Sequence, residues 1–377
     1  MSASKSRLFE PVKVGTIELK HRIAMAPLTR FRNDEDHLPS SFMLRYYADR
    51  ASVPGTLITS EATAIAVAQE GHKYLPSFAT DAQAAGWEKI IQAVHNKGSF
   101  WFQQLWDLGR GADPAYAAER GSKYRSSSAV ALAGVDGVPE EMSEEEIQQV
   151  IQSYVATAKR VIAAGGDGVE IHSAQGYLLD QFLSDKVNQR TDKWGGSIEN
   201  RARLTLEVVR AVAAAIGIQR VALRLSPYAT YQDSLKSDTK ELNLYIIEEL
   251  KKLDGPLAYI SLVEAVGDPV VLFYDSKPDA ENKTLDFILE AWDNRSPVIV
   301  AGGYTPESAQ LALDTHYKKW DVVIAFGRHF IANPDLVYRI KNGVELTKYN
   351  RDTFYVVNSE EGYNDYPFSP EFLKASA

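Results

Sequence analysis

Eight short apolar runs recur along this chain with helical patterns between them, and no other feature restricts the fold as strongly. The runs lie at about Ile23–Ala26, Gly55–Glu61, Phe100–Leu105, Val169–His172, Val221–Ser226, Ala258–Val263, Val298–Ala301 and Val322–Phe326. Each is too short for a helix and apolar on both faces, as a strand in a covered parallel sheet must be. The intervening helices read at about Ser41–Ala51, Asp81–Asn96, Ser143–Gly165, Ser197–Ile216, Leu242–Leu253, Leu285–Trp292, Pro306–Leu313 and Pro334–Asn342. Ser143 with Glu146 forms a capping box, and Ile147, Val150, Ile151, Tyr154, Ala158 and Val161 recur on one face before Gly165 stops the helix. Eight strands alternating with eight helices predict a single α/β domain over residues 1–377, a (β/α)8 TIM barrel rather than an open doubly wound sheet.

One connection is too long for such a barrel. Between about Asp107 and Met142, after the third strand, the chain is irregular, and an excursion of that length is expected to be functional or a lid over the strands' C-terminal ends.

The composition removes several classes of function. With 50 acidic against 41 basic residues and no block of either sign, nucleic acid is not an expected partner. There are no cysteines, so disulfides and thiolate chemistry are excluded. The first residues have no apolar signal core and no run reaches membrane-spanning length, which makes a cytoplasmic protein without a membrane partner the expectation. The sequon Asn282-Lys-Thr284 then carries no meaning. The chain has no Gly-x-Gly-x-x-Gly after a strand, no Walker loop and no His-Glu-x-x-His, so neither a dinucleotide domain nor a metal site is expected.

The polar residues gather at strand ends. His172, Gln175 and Tyr177 follow the fourth strand, where barrels place their chemistry, and three such groups can hold a carbonyl oxygen and deliver a proton. The seventh and eighth strands end in Val300-Ala-Gly-Gly303 and Ala325-Phe-Gly-Arg328, two glycine-bearing loops where barrels commonly take phosphate, with Arg328 adding a fork of donors. Arg224 sits inside an apolar run and needs either an acid, such as Glu170, or a ligand.

The segments Met25-Ala-Pro-Leu-Thr-Arg30, Gln104-Leu-Trp106, Glu170-Ile-His-Ser-Ala-Gln-Gly-Tyr177, Trp194-Gly-Gly-Ser-Ile-Glu-Asn-Arg-Ala-Arg203 and Gly362-Tyr-Asn-Asp-Tyr-Pro367 together resemble the Old Yellow Enzyme family of flavin-dependent ene reductases. The stretch Arg50-Ala-Ser-Val-Pro-Gly-Thr56 is similar to fungal members near the ergot-alkaloid aldehyde reductases.

The resemblance implies FMN at the barrel mouth, NADPH as reductant and an activated alkene as substrate. It assigns Pro27, Thr29, Gln104, Arg224, Gly303, Gly327 and Arg328 to the cofactor, with Thr29 toward the flavin C4 carbonyl, Gln104 on the pyrimidine edge, and Arg224 beside N1 and the C2 oxygen. It further assigns His172 and Gln175 to the substrate carbonyl, Tyr177 to proton donation, and Trp106 and Tyr355 to the pocket wall. Gln175 departs from the pattern, since that position usually carries Asn or His. The expected activity is C=C reduction by a monomer or homodimer. Two alternatives are a redox-neutral isomerase or cyclase, and a flavin- or phosphate-binding barrel without turnover.

Overall fold

The computed structural model describes residues 6–270 and 283–376, so Asn282 of the sequon lies outside the described residues. Eight parallel strands close on themselves: β1 (Ile23–Met25), β2 (Leu57–Thr59), β3 (Phe100–Trp106), β4 (Gly168–His172), β5 (Val221–Leu225), β6 (Tyr259–Val263), β7 (Val298–Ala301) and β8 (Val322–Phe326). Closure is made where β8 pairs with β1, Ile324 opposite Ile23. Helices α1 (Ser41–Arg50), α2 (Asp81–His95), α3 (Glu144–Ala163), α4 (Ile198–Ile216), α5 (Thr239–Lys251), α6 (Asp286–Trp292), α7 (Pro306–Leu311) and α8 (Leu336–Asn342) follow the strands in turn. The α/β barrel expected from the apolar runs is the fold observed.

Strand alternation divides the buried residues into two sets. Ile23, Ile58, Trp101, Leu105, Val169, Ile171, Leu223, Ile260, Val300 and Ile324 pack outward against the helices. Ala24, Leu57, Phe102, Ala222, Tyr259, Ile299 and Val323 form an inner layer. Gly168 makes room for it, because a Cβ there would meet the Phe102 ring at 2.4 Å.

The inner layer is closed from below by a hairpin the sequence reading missed, Val12–Val14 against Ile17–Leu19, whose Val12, Val14, Ile17 and Leu19 pack into it. Gly15 turns the hairpin at φ +54°, and a Cβ there would run into the Gln219 carbonyl just before β5. With this end filled, the opposite end carries the site.

The capping box of α3 forms: Ser143 Oγ accepts from Glu146 N–H at 3.3 Å, and Glu146 Oε2 accepts from Ser143 N–H at 2.9 Å. Helix α5 starts three residues earlier than Leu242, with Asp238 at its N-cap, because its first turn, Thr239-Lys-Glu, is polar and gave no periodic signal. Helix α8 begins at Leu336 rather than Pro334, since Asp335 serves instead as a buried acceptor for Arg339 and Ser369. The excursion after β3 is more ordered than expected: it holds a short helix, Pro114–Glu119, and a bridge of Arg125–Ser126 to Glu140–Glu141.

Candidate active site

The same alternation that builds the barrel aims four polar side chains at its mouth. Gln104 of β3, Glu170 and His172 of β4, and Arg224 of β5 all share inward parity, with Gln104 opposite Glu170 and His172 opposite Arg224. Gln104 Nε2 donates to Glu170 Oε1 at 2.6 Å. Arg224 Nη1 donates to Ser261 Oγ of β6 at 3.1 Å, while its Nε is buried with no acceptor among the described residues. Arg224 therefore does not pair with Glu170 within ion-pair distance, although each feels the other's charge.

Burial pushes each of these groups toward neutrality. It raises the Glu170 carboxyl, opposed by Arg224, and it lowers the Arg224 guanidinium. His172 is held well below the ordinary imidazole range by burial and by Arg224, so its ring is neutral, and its Nδ1 has no partner among the described residues. A neutral imidazole can donate one N–H without bringing a charge.

Beyond β4 the backbone turns through two left-handed residues, Gln175 (φ +57°) and Gly176 (φ +78°). A non-glycine residue there is strained and must be held. Ser226 Oγ accepts from Gln175 N–H at 2.7 Å, Asp180 Oδ2 from Gly176 N–H at 2.8 Å, and the Gly176 carbonyl takes Gln181 Nε2 at 2.8 Å. Asp180 is itself paired with the buried Lys236.

These bonds aim the Gln175 side chain into the cleft and set Tyr177 beside Trp106 and His172, at ring separations of 4.5 and 5.1 Å. Burial, together with the Tyr231 and Tyr355 hydroxyls, pushes the Tyr177 phenol far up, so it stays protonated. The Trp106 indole N–H is buried without an acceptor among the described residues.

A cleft of about 740 Å3 opens here, and all of the residues anticipated for the site line it: Pro27, Thr29, Gln104, Trp106, His172, Gln175, Tyr177, Arg224, Gly303, Gly327, Arg328 and Tyr355. Tyr355 stands at the rim, 45% exposed, edge-on to Phe31.

At the opposite end, the loops after β7 and β8 meet. A Cβ on Gly303, at φ +73°, would lie 3.6 Å from Arg328 Nη2, so this glycine borders the guanidinium. Arg328 rests over the Tyr349 ring at 5.4 Å and has no carboxylate within ion-pair distance among the described residues. Gly302 serves packing instead, because a Cβ there would strike Glu264, whose Oε1 accepts from both Tyr304 and Tyr317 at 2.5 Å. No cluster able to hold a metal ion occurs among the described residues, and no described helix is long and apolar enough to cross a membrane.

The sequence reading missed the supports. Buried Arg110 ties the excursion to the loop after β5, donating to the carbonyls of Ala131 and Gln232 and to Asp233 Oδ2. Gln181 accepts from Ser126 Oγ and donates to the Leu108 carbonyl. The adjacent polar pair Asp180-Gln181 inside Leu178–Leu183 was a legible signal for this role, whereas nothing local marked Arg110 or Gln232.

Comparison with known proteins agrees with this geometry. Residues 7–347 match the model of the NADH:flavin oxidoreductase / NADH oxidase family. The chain is 46% identical over 371 residues to the chanoclavine-I aldehyde reductase fgaOx3 of Penicillium roqueforti, covering 98% of each chain. It is 45% identical to the NADP-dependent oxidoreductase lnbE of Aspergillus flavus, covering 97% of each. It is also 43% identical to a probable inactive dehydrogenase, easA, of Claviceps purpurea, covering 98% of this chain and 97% of that one. Among solved structures, Old Yellow Enzyme from Pichia sp. AKU4542 superposes with a TM-score of 0.87 at 39% identity, covering 97% of this chain and 95% of that one. A parallel barrel carrying this mouth, matched along nearly its whole length, belongs to the NADH:flavin oxidoreductase family, among the Old Yellow Enzymes.

Proposed function

We propose that this protein is an FMN-dependent ene reductase, driven by NADPH, that saturates the C=C bond of an α,β-unsaturated aldehyde, ketone or similarly activated alkene. The observation that carries the reading is the convergence of His172, Gln175 and Tyr177 on one cleft also lined by Arg224 and by Gln104, which Glu170 holds from behind. The residues fit FMN: among the described residues Arg224 Nε lacks an acceptor, and Arg328, beside Gly303, lacks an anionic partner. Arg224, Gln104, Thr29 and Pro27 would hold the flavin ring, and Gly303, Gly327 and Arg328 its phosphate. When bound, the flavin supplies a hydride to the alkene's β-carbon, having taken it from the nicotinamide.

The rest falls to side chains. His172, neutral, donates an N–H to the substrate carbonyl oxygen, and the Gln175 amide donates the second, so negative charge developing on that oxygen meets donors already in place. Tyr177, held protonated by its surroundings, gives its O–H proton to the α-carbon and recovers one from solvent. The aromatic wall of Trp106 and Tyr355 excludes water around the alkene. NADPH rather than NADH is supported by the relative named as NADP-dependent.

The test is the visible spectrum of the purified protein and the identity of its released chromophore, followed by anaerobic bleaching with NADPH and recovery of colour on adding an enal. A colourless protein that binds no FMN would sink the proposal. Gln175 favours a second reading, because one extra methylene changes the reach of the amide: a flavin-binding barrel without turnover, revealed by failure of NADPH to bleach the bound flavin under anaerobic conditions.

A further inference from the structure

The outer wall of the cleft is apolar or aromatic for most of its extent, formed by Phe31, Leu75, Leu108 and the Trp106, Tyr231 and Tyr355 rings. His72, Gln175, Arg351 and Asp352 also line the cleft, together with the carboxamide of Gln232. The buried Oε1 of Gln232 has no hydrogen-bond donor among the described residues. A buried amide oxygen without a donor is disfavoured unless a ligand supplies one.

The position is also built at a cost. Gln232 and Asp233 are consecutive left-handed residues, both at φ +56°, and neither is glycine or asparagine. Buried Arg110 holds them there, donating to the Gln232 carbonyl at 2.9 Å and to Asp233 Oδ2 at 3.0 Å. Two glycines then clear space around the side chain. A Cβ on Gly111 would meet Gln232 Oε1 at 3.0 Å and Tyr177 Cδ1 at 3.5 Å, and one on Gly176 would meet Gln232 Cβ at 2.5 Å. The carboxamide thus stands next to the Tyr177 ring, separated from it by a residue with no side chain.

We propose that Gln232 is a specificity-determining residue whose amide oxygen accepts a hydrogen bond from an N–H or O–H carried by the substrate beyond its reacting double bond. This rests on the ene-reductase reading, with Tyr177 at the α-carbon. The substrate class narrows accordingly to enals or enones bearing a donor-tipped arm, an amine or a hydroxyl, that runs past Tyr177 under the loop after β5.

The test compares trans-hexenal with its ω-hydroxy and ω-methylamino analogues in the FMN-loaded parent, Gln232→Leu and Gln232→Glu. For Gln232→Leu, kcat/KM should fall about tenfold for the hydroxy and amino enals and stay within about twofold for hexenal. Gln232→Glu, which keeps an acceptor, should restore the hydroxy enal and favour the amino enal beyond the parent. Binding of the matching saturated alcohols, read as a shift in the bound flavin's absorption, should follow the same order without turnover. Equal losses on all three enals, or none, overturn the inference while leaving ene reduction standing. A parent that reduces none of the three overturns the reading beneath it and the inference with it.

Discussion

The two ends of the cleft are built in opposite ways. At the β3–β5 end the site is made of buried side chains: Gln104 is bonded to Glu170 and Arg224 to Ser261, and the loss of water moves Glu170, His172 and Arg224 toward neutrality. At the β7–β8 end it is made by leaving side chains out: Gly303 and Gly327 expose backbone, and a partly exposed cation, Arg328, lines the gap with no carboxylate within ion-pair distance among the described residues. The first end can discriminate protonation states and developing charge, because its donors are fixed in a poorly solvated place. The second can only grip, and its grip is electrostatic.

The largest effect should come from the side-chain end. Tyr177→Phe removes one hydroxyl and keeps the ring against Trp106, so FMN content and bleaching by NADPH should be unchanged while reoxidation by an enone slows about 100-fold or more. Stopped-flow rates for the two half-reactions decide this, and equal slowing of both would mean that the tyrosine only props the site. At the glycine end, Arg328→Ala should weaken FMN retention by roughly thirtyfold, about 2 kcal/mol, with the spectrum of whatever flavin remains unaltered. An unchanged FMN dissociation constant would remove Arg328 from the phosphate and erase the contrast between the ends.

Gln175→Ala probes the departure from the family pattern. Phenols that imitate an enolate oxygen should bind about tenfold more weakly, while FMN affinity holds, because the lost amide faces substrate rather than cofactor. Should phenol titrations of the two proteins coincide, His172 carries the oxygen alone.

The smallest effect lies between the ends. Glu61, just beyond β2, accepts from Arg30 N–H at 3.3 Å and Tyr47 O–H at 3.2 Å, and burial lifts its carboxyl to about 7. The folded state therefore holds this proton more tightly than the unfolded chain does. The resulting stability is complete below the ordinary value of 4.5 and is lost as pH rises through about 7. Glu61→Gln should flatten that part of the curve, so that the parent's Tm falls relative to the variant's between about pH 5 and 8. Parallel Tm curves would place the titration elsewhere.

The ease with which each end could be read from sequence follows its construction. Glu170 and His172 are two residues apart in a strand, so parity alone put them on one face, and His172, Gln175 and Tyr177 are neighbours in a single loop. Gly303 and Arg328 each lie two residues past the end of their strand, where local sequence announces them. What stayed hidden is what depends on distant contacts. The order within the excursion hangs on Arg110 and Gln181, whose partners lie on other loops, and Gln232 adopts its left-handed backbone because Arg110 holds it. The N-terminal hairpin was missed because Val12-Lys-Val and Ile17-Glu-Leu alternate over only three residues each, too short a pattern to stand out.

That hairpin has a kinetic consequence. The hairpin packs into the inner layer and closes the lower end of the barrel among the described residues, so under the proposed function a nicotinamide and an alkene would share the cleft at the other end and enter by turns. Initial-rate plots at several fixed NADPH concentrations should then be parallel lines rather than a converging set. Excess of either reactant should also inhibit, by occupying the form of the enzyme that awaits the other.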